Sequence, residues 1–261
     1  MGRREVACEL ALFGHELEAQ GAAQVDGAFT TDPADNELLE SESNAFLFGI
    51  LFTQGIPAER AWAGPARLLE RFGSLDPCEI ASDPDGIRAA VQAVPMLHRF
   101  KETLPRWIVS AANRLTSQYG GDASRIWTPG THVLEVIERL CEFDGIGRKK
   151  AVMAAEILMR HFRVPLAGRE FSTVAYDVQV RRVFLRTGLV DHDNRDAMEA
   201  AAAEFSPDSP GTLDLPAWLI GRLWCRPTNP ACDDCRLGKV CPRLTERSVS
   251  GVGSVRHPEP V

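Results

Sequence analysis

Three places in this 261-residue chain hold residues suited to chemistry. Cys225, Cys232, Cys235 and Cys241 are spaced C-x6-C-x2-C-x5-C. Four thiolates so close in sequence can enclose one soft metal centre. Spacing alone leaves zinc, an iron–sulfur cluster and disulfides open, although structural zinc more often uses two C-x2-C pairs. The second place is Gly145-Ile146-Gly147, followed by Arg148, Lys149 and Lys150. Helical spacing of apolar residues stops at this turn and resumes after it, which predicts helix, tight turn, helix. The glycines let the backbone turn sharply and approach a ligand. The second helix then starts with free N–H groups and a positive dipole end, an anion site that a phosphate fits. The third place is Asp177, a lone acid before the basic stretch VQVRRVFLRTGLV, readable as a helix N-cap or as a working carboxylate.

The elements that must position these groups read as helices. Residues 6–21 are amphipathic, with Gly21 as a stop. The acidic stretch from Asp26 to Ser43 reads as a solvated surface linker. Asn44 to Thr53 is apolar on nearly all sides and should be a buried helix, ending at Gln54-Gly55-Ile56-Pro57. Residues 58–120 read as successive short helices, with Pro105 kinking the last or marking its first turn. Trp62 and Trp107 read as core residues, and the segment after Phe162 breaks the helical period. NRDAMEAAAAEF and DLPAWLIGRLWC are further helices, and the tail 247–261 reads as disordered.

Composition sets the class. Hydrophobic content of 44% and charged content of 25% are those of a soluble globular protein. No apolar run reaches membrane-spanning length, and no signal-peptide core is visible, so the bacterial cytoplasm is the expected home. Four of the seven cysteines crowd into 225–241, which favours metal ligation in a reducing compartment. Cys8, Cys78 and Cys141 lack such spacing and read as packing residues. The net charge of −7 argues against nucleic acid as a partner. Residues 1–44, however, carry ten acidic side chains against Arg3 and Arg4, and the rest is close to neutral. Basic clusters at 148–150, 181–186 and 222–247 could still form a DNA-facing surface.

GIGRKKA followed by YDVQVRRVFLRTGLV resembles the endonuclease III branch of the helix-hairpin-helix DNA glycosylases. The cysteine spacing at 225–241 also resembles that branch, and there it implies a [4Fe-4S] cluster held by Cys225, Cys232, Cys235 and Cys241. The resemblance spans about residues 45–243 and implies catalytic roles for Lys149 and Asp177. It implies DNA contact by Gly145, Gly147, Arg148 and Lys150. Gln54 takes the place of a glutamine that fills the gap left by the target nucleotide. Leu97 takes that of an apolar wedge pushed into the base stack. His98 reads as a DNA-groove or phosphate contact. The cations Arg226, Arg236, Lys239 and Arg243 would meet phosphate from the cysteine loop.

The implied fold is all-α and two-lobed, a helix-hairpin-helix glycosylase fold with a C-terminal [4Fe-4S] loop. Residues 45–161 would form a helical bundle carrying the hairpin, and 162–246 the C-terminal helices and cluster loop. Residues 1–44, an acidic helix and linker, would pack with the cluster lobe. The implied function is a monomeric base-excision glycosylase with abasic-site lyase activity, acting on duplex DNA with damaged bases or abasic sites. Oxidised pyrimidines are the expected substrates. Two alternatives stand beside it: a monofunctional glycosylase for mismatched or alkylated bases, and a non-catalytic DNA-binding or redox-sensing iron–sulfur protein. The adenine-excising branch is disfavoured, because Asn44 to Thr53 contains no acid and no second C-terminal domain follows. Phe143-Asp144 stands where the family has leucine–proline, Tyr176 and Gln179 where it has valine and histidine, and His98-Arg99 where it has tyrosine–asparagine. The stretch RVPLAGREFSTVA is longer than the usual connector.

Overall fold

A helix with no polar face can only be stable inside a protein. Helix α3 (Ser43–Phe52) is such a helix, and every residue from Ala45 to Phe52 is buried. The computed structural model describes residues 2–24 and 27–244. Around α3 stand α1 (Arg3–Ala19), α2 (Pro33–Ser41), α4 (Ala58–Trp62), α5 (Gly64–Phe72), α6 (Pro77–Ser82), α7 (Pro84–Gln92) and α8 (Thr103–Tyr119). The chain continues through α9 (Val133–Cys141), α10 (Arg148–Arg160), α11 (Val178–Arg186), α12 (Arg195–Phe205) and α13 (Asp214–Leu223). The only extended pairing noted among the described residues is an isolated bridge between His132 and Ala167.

Two main apolar cores divide these helices. One gathers α2 to α10 around Phe46, Phe52 and Trp62. The ring of Phe46 stacks on Trp62, 5.7 Å between centroids and 7° from parallel. Gly64 is required beside Phe52, because a Cβ there would overlap that ring. The second core joins Val6 and Leu10 of α1 to Val183 and Phe184 of α11 and Ile220 of α13. Both chain ends therefore build the second lobe.

Several expectations change. The acidic stretch before α3 is not a solvated linker: α2 lies in it, capped by Asp32, and Leu39 is wholly buried with Phe29 in the first core. Residues 27–44 thus pack on the bundle, and only α1 joins the cluster lobe. The run 58–72 breaks at Ala63 into α4 and α5. Pro105 sits in the first turn of α8, where its missing N–H costs nothing. The stretch 163–175 is tied down: Gly130 donates to Pro165 O at 2.9 Å and Val133 to Ala167 O at 2.9 Å. The tail 247–261 lies outside the described residues.

Between the lobes α10 carries charge into the interior. Glu156 and Arg160 are buried there, beside Asp214 at the start of α13. Arg160 donates from Nε to Ala22 O and from Nη2 to Ala23 O, both at 2.8 Å. Burial pushes the Glu156 carboxyl up to about 8, although Arg160 opposes the shift. Burial likewise raises Asp214 to about 6, although its carboxylate accepts the Ala175 N–H. A carboxyl raised in the folded state stabilises it fully below the ordinary value, and that contribution is lost as pH rises through the folded value. For Glu156 the window runs from about 4.5 to about 8. Glu156→Gln removes this titration and should flatten the dependence. Urea unfolding at pH 5 and pH 8 should show wild type losing more stability than the variant, by roughly a few kcal/mol.

Candidate active site

The hairpin joins α9 to α10. Phe143 and Ile146 are buried and anchor the turn to the bundle core. Gly145 has φ +83°, and a Cβ there would overlap the indole of Trp107. Glycine is therefore needed for both the conformation and the close approach. Gly147 is the N-cap of α10, with no side chain capping the first turn. The leading N–H groups of α10 are left for an external acceptor, the arrangement that binds anions. Asp144, close to this site, accepts from Ser110 Oγ at 2.7 Å.

Lys149 sits in the first turn of α10 and Asp177 is the N-cap of α11. Lys149 Nζ lies 2.7 Å from Asp177 Oδ2. The other carboxylate oxygen, Oδ1, accepts the Gln179 N–H at 2.8 Å. Asp177 therefore caps its helix with one oxygen and offers the other to the lysine. The lysine side chain is 50% exposed and the aspartate side chain 11%. Asp214 supports this end of α11 by accepting the Ala175 N–H at 2.7 Å. Gly221 lets α13 press against Gln179, since a Cβ there would fall 2.7 Å from that residue's Cβ.

Lys149 and Asp177 stand at a cleft of about 350 Å³, within the range of small-ligand pockets. Its walls include Ile56, Met153, Val180 and Trp218, and its polar lining includes Gln24, Lys150 and Asp214. Arg222 of α13, which also lines the cleft, pairs with Glu59 of α4.

Other site expectations meet a different geometry. Lys150 is not on the surface: it is 6% exposed, and its Nζ donates to Leu51 O at the end of α3, 2.9 Å away. Burial first, then the neighbouring Lys149, lowers its ammonium to about 7. Arg148 is occupied by a two-pronged contact to Glu199, at 3.1 and 2.9 Å. Leu97 cannot protrude as a wedge, being 8% exposed within the bundle core. The apolar side chains that do protrude from its loop are Val94 and Met96. His98 is buried rather than turned to a groove: Nε2 donates to Phe52 O at 3.2 Å, and Nδ1 accepts the Phe100 N–H at 3.1 Å. Burial holds that imidazole below its ordinary value. Gln54 is exposed just past α3, and Arg99 packs against the adjoining Gly55.

The basic stretch 181–186 faces inward on its own protein. Arg181 pairs with Asp193. Arg182 donates to Gly221 O at 2.7 Å, and Arg186 to Arg226 O and Pro227 O at 2.7 and 2.9 Å. Arg186, together with Arg182 Nε on Cys225 O, holds the cysteine loop. In that loop Arg236 pairs with Glu16 and Arg243 with Asp233. Arg226 and Lys239 have no ion pair among the described residues.

Cys225, Cys232, Cys235 and Cys241 line one cavity together with Val183, Ile220 and Leu237. None of the four is in a disulfide. Gly238 closes the loop, as a Cβ there would overlap Cys232 O. The Arg243 N–H donates to Cys241 Sγ at 3.4 Å and Arg186 Nη1 to Cys225 Sγ at 3.8 Å. Burial raises the Cys241 thiol, and the Arg243 N–H only partly opposes that shift. Among the described residues, no three His, Cys, Asp or Glu side chains converge as they would on one metal ion.

No family profile matches the chain. Over 151 residues it is 29% identical to endonuclease III of Thermotoga maritima, a match covering 58% of this chain and 60% of that protein's length. A trapped endonuclease III–DNA covalent intermediate superimposes with a TM-score of 0.58 at 18% identity, over 77% of this chain and 84% of the other. A non-covalent endonuclease III–DNA complex gives 0.57 at 17% identity, over 80% and 92%. A thermostable thymine-DNA glycosylase gives 0.63 at 13% identity, over 92% and 96%. The chain thus has the fold of these endonuclease III and thymine-DNA glycosylase structures.

The hairpin geometry carries a direct test. Gly145→Ala combines a left-handed backbone with a clash against Trp107, and should cost about 1–3 kcal/mol in denaturant unfolding. Gly147→Ala, with nothing within 4 Å of its Cβ, should cost distinctly less.

Proposed function

We propose that the chain is a base-excision-repair DNA glycosylase with abasic-site lyase activity, acting as a monomer on damaged duplex DNA in the bacterial cytoplasm. The observation that carries this reading is the 2.7 Å contact between Lys149 and Asp177 at the mouth of a cleft, beside an uncapped helix N-terminus. A glycosylase must turn the target nucleotide out of the stack, because C1′ is not reachable within it. The α10 N–H groups would hold a phosphate while the base enters the cleft. Protruding Met96 or Val94, with Gln54 alongside, would occupy the space the nucleotide leaves.

The chemistry then falls to two side chains. An ordinary lysine is protonated near neutral pH and must lose that proton before it attacks. Asp177, already in hydrogen-bond contact, is placed to receive it. Nζ of Lys149 bonds to C1′ as the bond from C1′ to the base breaks, and the base leaves with the electron pair and the proton that Asp177 had received. Asp177, a carboxylate again, then takes a second proton from Nζ and passes it to O4′ as the C1′–O4′ bond opens, which leaves a Schiff base between Nζ and C1′. That Schiff base allows loss of a C2′ proton and departure of the 3′ phosphate. Oxidised pyrimidines are the proposed substrates.

The four cysteines are proposed to hold a [4Fe-4S] cluster. Four thiols around one cavity, spaced C-x6-C-x2-C-x5-C rather than as two C-x2-C pairs, support a cluster over a single zinc ion. When bound, the cluster would act as a staple between α11 and α13 and would take no part in bond cleavage. Anaerobically purified protein should carry about four irons and four sulfides per chain. Cys232→Ser should lose most of both; zinc in their place would overturn the assignment.

A second reading is a monofunctional glycosylase, favoured by the likeness to the thymine-DNA glycosylase over 92% of this chain. Borohydride trapping on duplex DNA with one abasic site separates the two. The lyase reading expects a covalent adduct with wild type, none with Lys149→Ala, and at least a hundredfold slower trapping with Asp177→Asn. Base release without any adduct would establish the monofunctional reading.

A further inference from the structure

On the reading of this cleft as the base pocket, we propose that Gln24 and Lys150 select the excised base by hydrogen-bonding two carbonyl oxygens, so that pyrimidine-2,4-diones are preferred over 4-aminopyrimidines. Both residues line the cleft, and both are more than nine-tenths buried. Each brings an N–H that the protein leaves without a strong acceptor.

Gln24 is oriented from behind. The Trp62 indole N–H donates to Gln24 Oε1. An indole N–H is only a donor, so the amide must turn its oxygen to Trp62 and its NH2 away. That NH2 meets Met153 Sδ at 3.8 Å, a weak acceptor, and Met153 is itself a wall of the cleft. Lys150 Nζ donates to Leu51 O and lies 5.6 Å from the centroid of the Trp107 ring, and no second hydrogen-bond acceptor for it is found among the described residues. Buried donors without partners are costly, and that cost is relieved when a ligand supplies acceptors. The surrounding apolar walls supply none.

A uracil-type ring offers carbonyl oxygens at C2 and C4. A cytosine-type ring replaces the second with an amino group, which would face a donor with another donor. Pockets built to hydrogen-bond a substrate group discriminate strongly against analogues that leave their own groups unpaired. Neither Gln24 nor Lys150 contacts the Lys149–Asp177 pair by a hydrogen bond, so their contribution is to choice of base rather than to bond breaking.

The test compares kcat/KM for release of 5,6-dihydrouracil and of 5-hydroxycytosine, each placed opposite guanine in the same duplex. Wild type should favour dihydrouracil by at least tenfold. Gln24→Glu keeps an oxygen for Trp62 and turns the free donor into an acceptor, so the ratio should shift at least tenfold towards 5-hydroxycytosine. Lys150→Met should lower the ratio as well. Circular dichroism melting establishes that each variant folds, and a ratio taken on one variant cancels any loss common to both bases. Equal release of both bases by wild type, or a Gln24→Glu ratio equal to that of wild type, would overturn this proposal while leaving the glycosylase reading intact. Release of neither base, with no borohydride adduct, would overturn both.

Discussion

The C-terminal end of α3 is the constraint on which the arrangement depends. A helix leaves its last carbonyls without internal partners, and here they lie in the interior, where water does not reach them. Lys150 from α10 takes Leu51 O, and His98 from the loop after α7 takes Phe52 O. Two side chains from distant sequence thus fasten three elements at one point. They hold the Gln54 turn, the loop with Val94 and Met96, and the first turn of α10 beside one another. An ammonium at the negative end of a helix dipole is favourable, yet burial draws its proton affinity down. The two effects compete at the same atom.

The hairpin, the buried helix α3 and the cysteine spacing were legible in the sequence because each is local. Periodicity, glycine placement and ligand spacing need no knowledge of what packs from elsewhere. The contact between Lys149 and Asp177 was legible only through family resemblance, since nothing in the 27 intervening positions forces the two together. Side-chain direction was the weak link. Lys150, one residue along a helix from an exposed lysine, points inward because α10 turns about 100° per residue. Leu97 and His98 are drawn in by the apolar end of α3 rather than pushed out toward a ligand.

The arginines make the same point about charge. A run of basic residues in sequence is a patch only if no acid folds against it. Asp193 and the carbonyls of α13 and the cysteine loop take up Arg181, Arg182 and Arg186, and Glu199 takes up Arg148. Gln24 gave no sequence signal at all. Its role comes from an indole thirty-eight positions away that fixes which end of its amide faces the cleft.

This internal pairing bears on how the molecule would meet a polyanion. Affinity that rests on many lysines and arginines displaces many condensed counterions and fades steeply as salt rises. In this chain of net charge −7, several basic side chains already answer to its own carboxylates and carbonyls. Few small ions would then be released on contact, and association would be comparatively indifferent to ionic strength. On the proposed glycosylase reading, such a protein would slide poorly along undamaged duplex, and its residence at a site would depend on what fits the cleft, so that recognition would begin with the nucleotide rather than with the strand.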